Sequence, residues 1–97
     1  MAKVRINYRK VISQAETIED LGDKLRKQID ELEDFTQDGK NIWQGKASEA
    51  FFKEVATLKR DMQTTYRETT NVASTIKSVA RRIKREDEAA AERASKL

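Results

Sequence analysis

Apolar residues recur along this chain at alternating spacings of four and three, the period of a helix that buries one stripe. Val4, Tyr8, Val11, Ala15, Ile18, Gly22, Leu25, Ile29 and Leu32 share one register, and Ile12, Leu21 and Phe35 widen it. This pattern predicts a helix over about residues 7–38, roughly 48 Å long at the usual rise per residue. A second register holds Phe51, Val55, Leu58, Met62, Thr65, Thr69, Val72, Ile76, Val79 and Ile83, with Phe52, Ala73 and Ala80 just beside it. It predicts a second helix over about 43–85. Thr64, Thr65, Thr69 and Thr70 weaken its middle. Their methyls can pack while their hydroxyls bond to preceding carbonyls, or they mark a softer stretch of seam.

The stripes are separated by a short polar segment. Gly39 suits the left-handed position that ends a helix, and Asn41 with Gln44 has the spacing of a capping box. The predicted turn is therefore about 39–45, and so short a connection sets the helices antiparallel. The fold class is all-α: a hairpin over 1–86, then a charged tail over 87–97, flexible or helical. Gly22 interrupts the first stripe and carries two readings. One is close helix approach at a cost of about 1 kcal/mol relative to alanine; the other is a hinge.

Size changes the picture next. The chain has 97 residues, and two helices pressed together bury little more than one seam, which leaves a small domain marginal without staples. It has no cysteine and no histidine, so neither a disulfide nor a His/Cys zinc site can supply the deficit. The missing buried area has to come from another chain. A dimer is expected, completing a four-helix bundle. Its core draws on Val11, Ile18, Leu25, Ile29 and Leu32 of the first helix and on Phe51, Val55, Leu58, Met62, Val72, Ile76 and Val79 of the second.

Charge and hydropathy remove other classes. Lys and Arg number 20 against 17 Asp and Glu, a net +3, and the two signs are interspersed. The basic cluster Arg81, Arg82, Lys84 and Arg85 could grip phosphates, which leaves a nucleic-acid-binding hairpin as a lesser alternative, but it has no aromatic among it to stack on bases, so no nucleic-acid partner is expected. No apolar run approaches 18 residues, so no stable membrane insertion is expected. Met1–Lys10 lacks the apolar stretch of a signal peptide. If the protein leaves the cell, a dedicated exporter must carry it. Nothing organises a pocket, so an enzyme is not expected, nor any cofactor or metal.

The turn carries the chain's one tryptophan, in Trp43-Gln44-Gly45. With a Trp-x-Gly bend midway along about 100 residues, helical stripes on both sides, and Ala47, Phe51, Val55 and Leu58 following, the sequence resembles the WXG100 (ESAT-6-like) family. The resemblance implies a non-enzymatic helical hairpin exported as a folded homo- or heterodimer by a type VII secretion system, whose ATPase reads a C-terminal tail. It allows a variant in which the chain is the targeting partner of a larger LXG-type toxin. Trp43 reads as an apolar plug at the bundle end whose indole N–H reaches a loop carbonyl, with Gly45 permitting close packing beside it. The resemblance adds a second, compatible role for Trp43 and Gly45, as part of a composite export signal shared with the partner's tail.

One form of the family's tail signal, Tyr-x-x-x-Asp/Glu, is missing, because Tyr66 is followed at the fourth position by Thr70 and Tyr8 by Ile12. A looser pattern fits Ile83 with Asp87, followed by Ala90 and Ala94. Export signal and ordinary helix end both remain open readings of that pair. Lys84–Leu97 likewise reads either as a solvated extension with pairs such as Arg82–Glu86 or as a segment that orders against a receptor.

Overall fold

The computed structural model describes residues 7–96 and holds two helices, α1 (Tyr8–Ile42) and α2 (Lys46–Ser95), joined by residues 43–45. Val4, with the rest of the first six residues, and Leu97 lie outside the described residues. Asn7 starts α1: its backbone is extended and its side-chain oxygen accepts the Lys10 N–H at 3.1 Å, satisfying one of the donors a helix start leaves open.

Where the first helix ends differs from the sequence expectation. Gly39 is an interior helical residue, and the Trp43 N–H donates to its carbonyl at 2.9 Å. The reason is packing. A Cβ added at Gly39 would stand 3.0 Å from Cε1 of Phe52, with Cζ closer still, so the glycine makes room for a ring and does not stop a helix. Asn41 is helical as well, and no capping box forms with Gln44. The cap of α2 is Gly45, which offers no side-chain bond. The Ser48 hydroxyl instead ties the first turn of α2 back to the bend, donating to the Trp43 carbonyl at 2.7 Å. The bend thus occupies 43–45 and not 39–45, and α2 begins at Lys46 and not at residue 43.

At its far end α2 continues through Ser95, well past residue 85. Alanine, glutamate, lysine and arginine dominate this stretch and favour helix without burial. Its ion pairs are Lys84–Glu88 at 3.9 Å and Lys96–Glu92 at 3.5 Å; Arg82–Glu86 is not paired.

The hairpin is a rod of 79 × 20 × 16 Å. Its buried apolar residues are Ala15 and Ile29 of α1 and Phe52, Val55, Ala73 and Ala80 of α2. Among the described residues no large side chain is completely enclosed. The register of α2 is shifted from the expected one. Its row against α1 contains Phe52, Tyr66, Ala73 and Ala80 beside Val55, Met62, Ile76 and Ile83, whereas Phe51, Leu58, Val72 and Val79 stand one position aside and exposed. Complementary fit decides between the two rows. Phe52 fills the space over Gly39, and buried Gly22 sits in an unbroken helix facing Tyr66 and Thr69, whose Cγ2 is 3.7 Å from the missing Cβ position. That is close approach, not a hinge. Hydroxyls of Thr64, Thr65 and Thr70 donate to carbonyls four residues back, at 3.2, 3.1 and 3.0 Å.

Candidate functional site

Two features stand out, one at the bend and one along a flank. At the bend Trp43 is extended and 44% exposed. Its ring centroid lies 5.5 Å from that of Phe51 and 6.0 Å from that of Phe52, and Phe35 adjoins both phenylalanines at 6.4 and 6.3 Å. Tilted and edge-on rings at these separations attract beyond the area they bury. The indole N–H has no hydrogen-bond partner among the described residues, so the expected bond to a loop carbonyl is absent; Trp43 is anchored by its backbone, through Gly39 and Ser48. Gly45 is likewise not a packing glycine. Nothing lies within 4 Å of a Cβ built there, but its φ is +121° with ψ at 177°, a region that is essentially glycine's alone. The bend needs Gly45 for its backbone angle.

The flanks of the rod differ in chemistry. Residues seven apart share a row on a helix in a heptad seam. On one flank Glu33 pairs with Lys59 and Glu19 with Lys77, linking α1 to α2. The Lys59 bond holds the Glu33 carboxyl below the usual glutamate range. On the opposite flank Leu21, Phe35 and Ile42 of α1 adjoin Phe51, Leu58, Val72 and Val79 of α2, and their exposure runs from 36% for Val79 to 87% for Ile42. The Phe35–Phe51 contact places both rows on this same side. Of the core residues expected from sequence, Val11, Ile18, Leu25, Leu32, Met62 and Ile76 are half-buried, and Ile29 and Val55 are buried within the hairpin.

At the open end Ile83 and Asp87 come together with Tyr8, which the sequence placed in the first apolar row and gave no site role. The Tyr8 hydroxyl donates to the Asp87 carboxylate, and that bond, with burial and the negative charge nearby, pushes the phenol up to about 12. Beside the clasp an apolar groove of about 340 Å³ runs between Tyr8, Val11, Ile76, Val79 and Ile83. The signal for this contact was faint in the sequence: only the antiparallel register brings residue 8 to residue 87.

The family model WXG100, described as proteins of 100 residues with WXG, matches residues 3–88 of this chain. The chain belongs to the WXG100 family. Its Trp-x-Gly is Trp43-Gln44-Gly45, at the bend between α1 and α2. The fold of this chain is similar to that in the crystal structure of the secreted protein ESXB, selenomethionine-labelled, from Bacillus anthracis str. Sterne. The match has 21% identity and a TM-score of 0.76, and covers 90% of this chain and 99% of that one. No curated protein matches the chain significantly. What sequence reasoning missed in this WXG100 chain is that α2 carries two adjacent apolar rows, one for α1 and one left outward. The recurrence of Phe51-Phe52, Val72-Ala73 and Val79-Ala80 as side-by-side apolar pairs at steps related by seven was the visible sign.

Proposed function

We propose that this WXG100 protein pairs over its apolar flank with a second helical hairpin, and that the folded pair is exported by a type VII secretion system. The observation that carries the pairing is the flank itself. Seven large apolar side chains stand exposed in two adjoining rows, and folded single chains rarely leave so continuous an apolar surface in water. A second hairpin laid on it makes a four-helix bundle, in which heptad rows interlock. ESXB, the structural relative, is a secreted protein, and family membership supports the same destination here. Among the described residues no helix is long and apolar enough to cross a membrane.

In this reading Trp43 and Gly45 present the bend as one half of the export signal. Ile83 and Asp87 are the candidate elements of the other half, carried on α2 before its lone helical end. The type VII ATPase is the receptor. The test is export of the wild type and of Trp43→Ala from cells with and without a functional type VII ATPase. Wild-type export should require the ATPase, and Trp43→Ala should export poorly while circular dichroism still reports a helical hairpin. Export that continues undiminished without the ATPase overturns the proposal.

A further inference from the structure

Along the chain the two signs of charge alternate, and folding sorts them. α1 carries nine acids against six bases, and α2 eleven bases against eight acids. On α2 the sorting is finer. One residue beyond each member of its seam row, which holds Phe52, Tyr66, Ala73 and Ala80, stand Lys53, Arg67, Ser74 and Arg81, with Arg60 at the same step of seven. Residues seven apart share a row, so four cations line one ridge, and Arg85 stands beside its far end. Lys53 to Arg85 spans roughly 48 Å of helix. All five cations are exposed, and among the described residues none of them is in an ion pair. Lys77, next to the row, pairs with Glu19, which puts the ridge on the ion-pair side of the rod, away from the apolar flank.

The surroundings of the ridge restrict what it can hold. Between the cations stand the small, uncharged Thr57, Thr64, Asn71 and Ser78. Thr57 and Thr64 turn their hydroxyls back to the carbonyls of Lys53 and Arg60, at 3.3 and 3.2 Å. No aromatic or large aliphatic residue lies on the ridge, so it lacks the desolvated anchors that a protein partner needs. It also lacks the ring faces on which bases stack. Acids bound it on both sides. Glu54, Asp61 and Glu68 run beside it towards the apolar flank, and Glu16, Asp23 and Asp30 run along the neighbouring α1. A broad anionic surface such as a bilayer, laid on the ridge, would meet those acids as well. A thin strand running lengthwise meets the cations alone. Four of the five cations are arginine, whose flat fork takes two phosphate oxygens at once.

We propose that the outer ridge of α2 binds a linear phosphate polymer that carries no bases, one strand laid along the helix over Lys53, Arg60, Arg67, Arg81 and Arg85. The site is independent of the pairing and export proposed above. It stays open when the apolar flank is covered, because it lies on the other side of α2.

The test is fluorescence anisotropy of end-labelled inorganic polyphosphate, long enough to span the ridge, titrated with the full chain at several salt concentrations. Affinity should fall with salt at a log–log slope of about −3.5, the value for five contacts on a flexible strand. Arg60→Gln, Arg67→Gln and Arg81→Gln together should cost about tenfold or more and flatten the slope by about 2. Lys10→Gln, Lys24→Gln and Lys27→Gln remove the same charge from exposed positions of α1. At about 0.1 M salt, where exposed charges more than about 10 Å away are screened, that triple should change affinity less than about twofold. Circular dichroism should report the same helix content for both triples. No binding at low salt, or equal losses in the two triples, overturns the proposal. Poly-glutamate of equal length bound as tightly overturns the choice of phosphate, and single-stranded DNA bound more tightly overturns the base-free occupant. Phosphatidylglycerol vesicles bound more tightly through the same arginines overturn the linear one.

Discussion

Two glycines in α1 face α2, and the structure gives opposite signs for replacing them with alanine. Alanine in a helix interior gains up to about 1 kcal/mol over glycine, because the glycine backbone loses more freedom on folding. At Gly22 the new methyl meets Thr69 Cγ2 at 3.7 Å and the Tyr66 ring at 3.8 Å, which is ordinary contact, so the whole gain survives. Gly22→Ala should stabilise by about 1 kcal/mol. At Gly39 the methyl would stand inside contact distance of the Phe52 ring. That ring is 4% exposed and boxed by Phe35, Trp43 and Phe51, so it cannot swing away freely. Overpacking of this kind costs about 1–3 kcal/mol, while the propensity gain shrinks so near the end of the helix. Gly39→Ala should destabilise by about 1 kcal/mol, roughly 2 kcal/mol apart from its counterpart. Urea unfolding followed by far-UV circular dichroism measures both, at one fixed protomer concentration because association adds to apparent stability. The clash is also a coupling. In a Phe52→Leu background the penalty of Gly39→Ala should largely vanish, a double-mutant coupling of about 1 kcal/mol. The same penalty in both backgrounds would refute the reasoning, and so would Gly39→Ala stabilising as much as Gly22→Ala.

The bend and the clasp give two further expectations. Gly45 should reject L-alanine at a cost of about 1–3 kcal/mol but accept D-alanine, made by semisynthesis, without loss; its φ of +121° is the mirror image of an extended L-residue, and equal losses for both alanines would count against a backbone role. Tyr8, held by Asp87, has a folded-state pKa of about 12 against 10.0 for the free phenol, so the clasp's contribution is complete below about pH 10 and is lost as pH rises through 12. In a Tyr66→Phe background, absorbance at 295 nm should show the remaining phenol titrating late, and Asp87→Asn should move it back towards 10; a phenol that titrates at the ordinary value in the parent chain would mean the clasp is not formed.

Much of this molecule was legible because helix periodicity is a local property. Heptad spacing located two helices, and the short polar segment between them gave their antiparallel order and a turn over about 39–45, which contains Trp43. The misplacements trace to residues whose role depends on what faces them. Gly39 has the composition of a helix stop, and only the Phe52 ring across the seam shows why a glycine is there without stopping anything. Gly45 was read as a packing glycine because φ is not written in a sequence. On α2 the wider stripe, running from Phe51-Phe52 to Val79-Ala80, holds two registers one residue apart. Periodicity ranks larger side chains first, so it placed Phe51, Leu58, Val72 and Val79 in the seam. The hairpin instead turns the smaller Ala73 and Ala80 inward, because facing small residues lets two long helices approach.

That choice ties the fold to the proposed pairing. A two-helix hairpin could have used its largest apolar residues to hold itself together, and this one leaves Leu21, Phe35, Ile42, Phe51 and Leu58 outside. The seam it keeps for itself is thin: six buried apolar residues, three of them alanine. Isolated helices draw little stability from propensity, and most of what they have comes from packing an apolar face. If the proposed pairing holds, a chain arranged in this way gains much of its packing only when the outer rows are covered, which would couple folding to association. The ion pairs Glu19–Lys77 and Glu33–Lys59 lie on the opposite flank, where charge discourages a hairpin from adding to that side. Under the proposed pairing, one flank recruits and the other stays in water, which would favour a closed pair over an open stack.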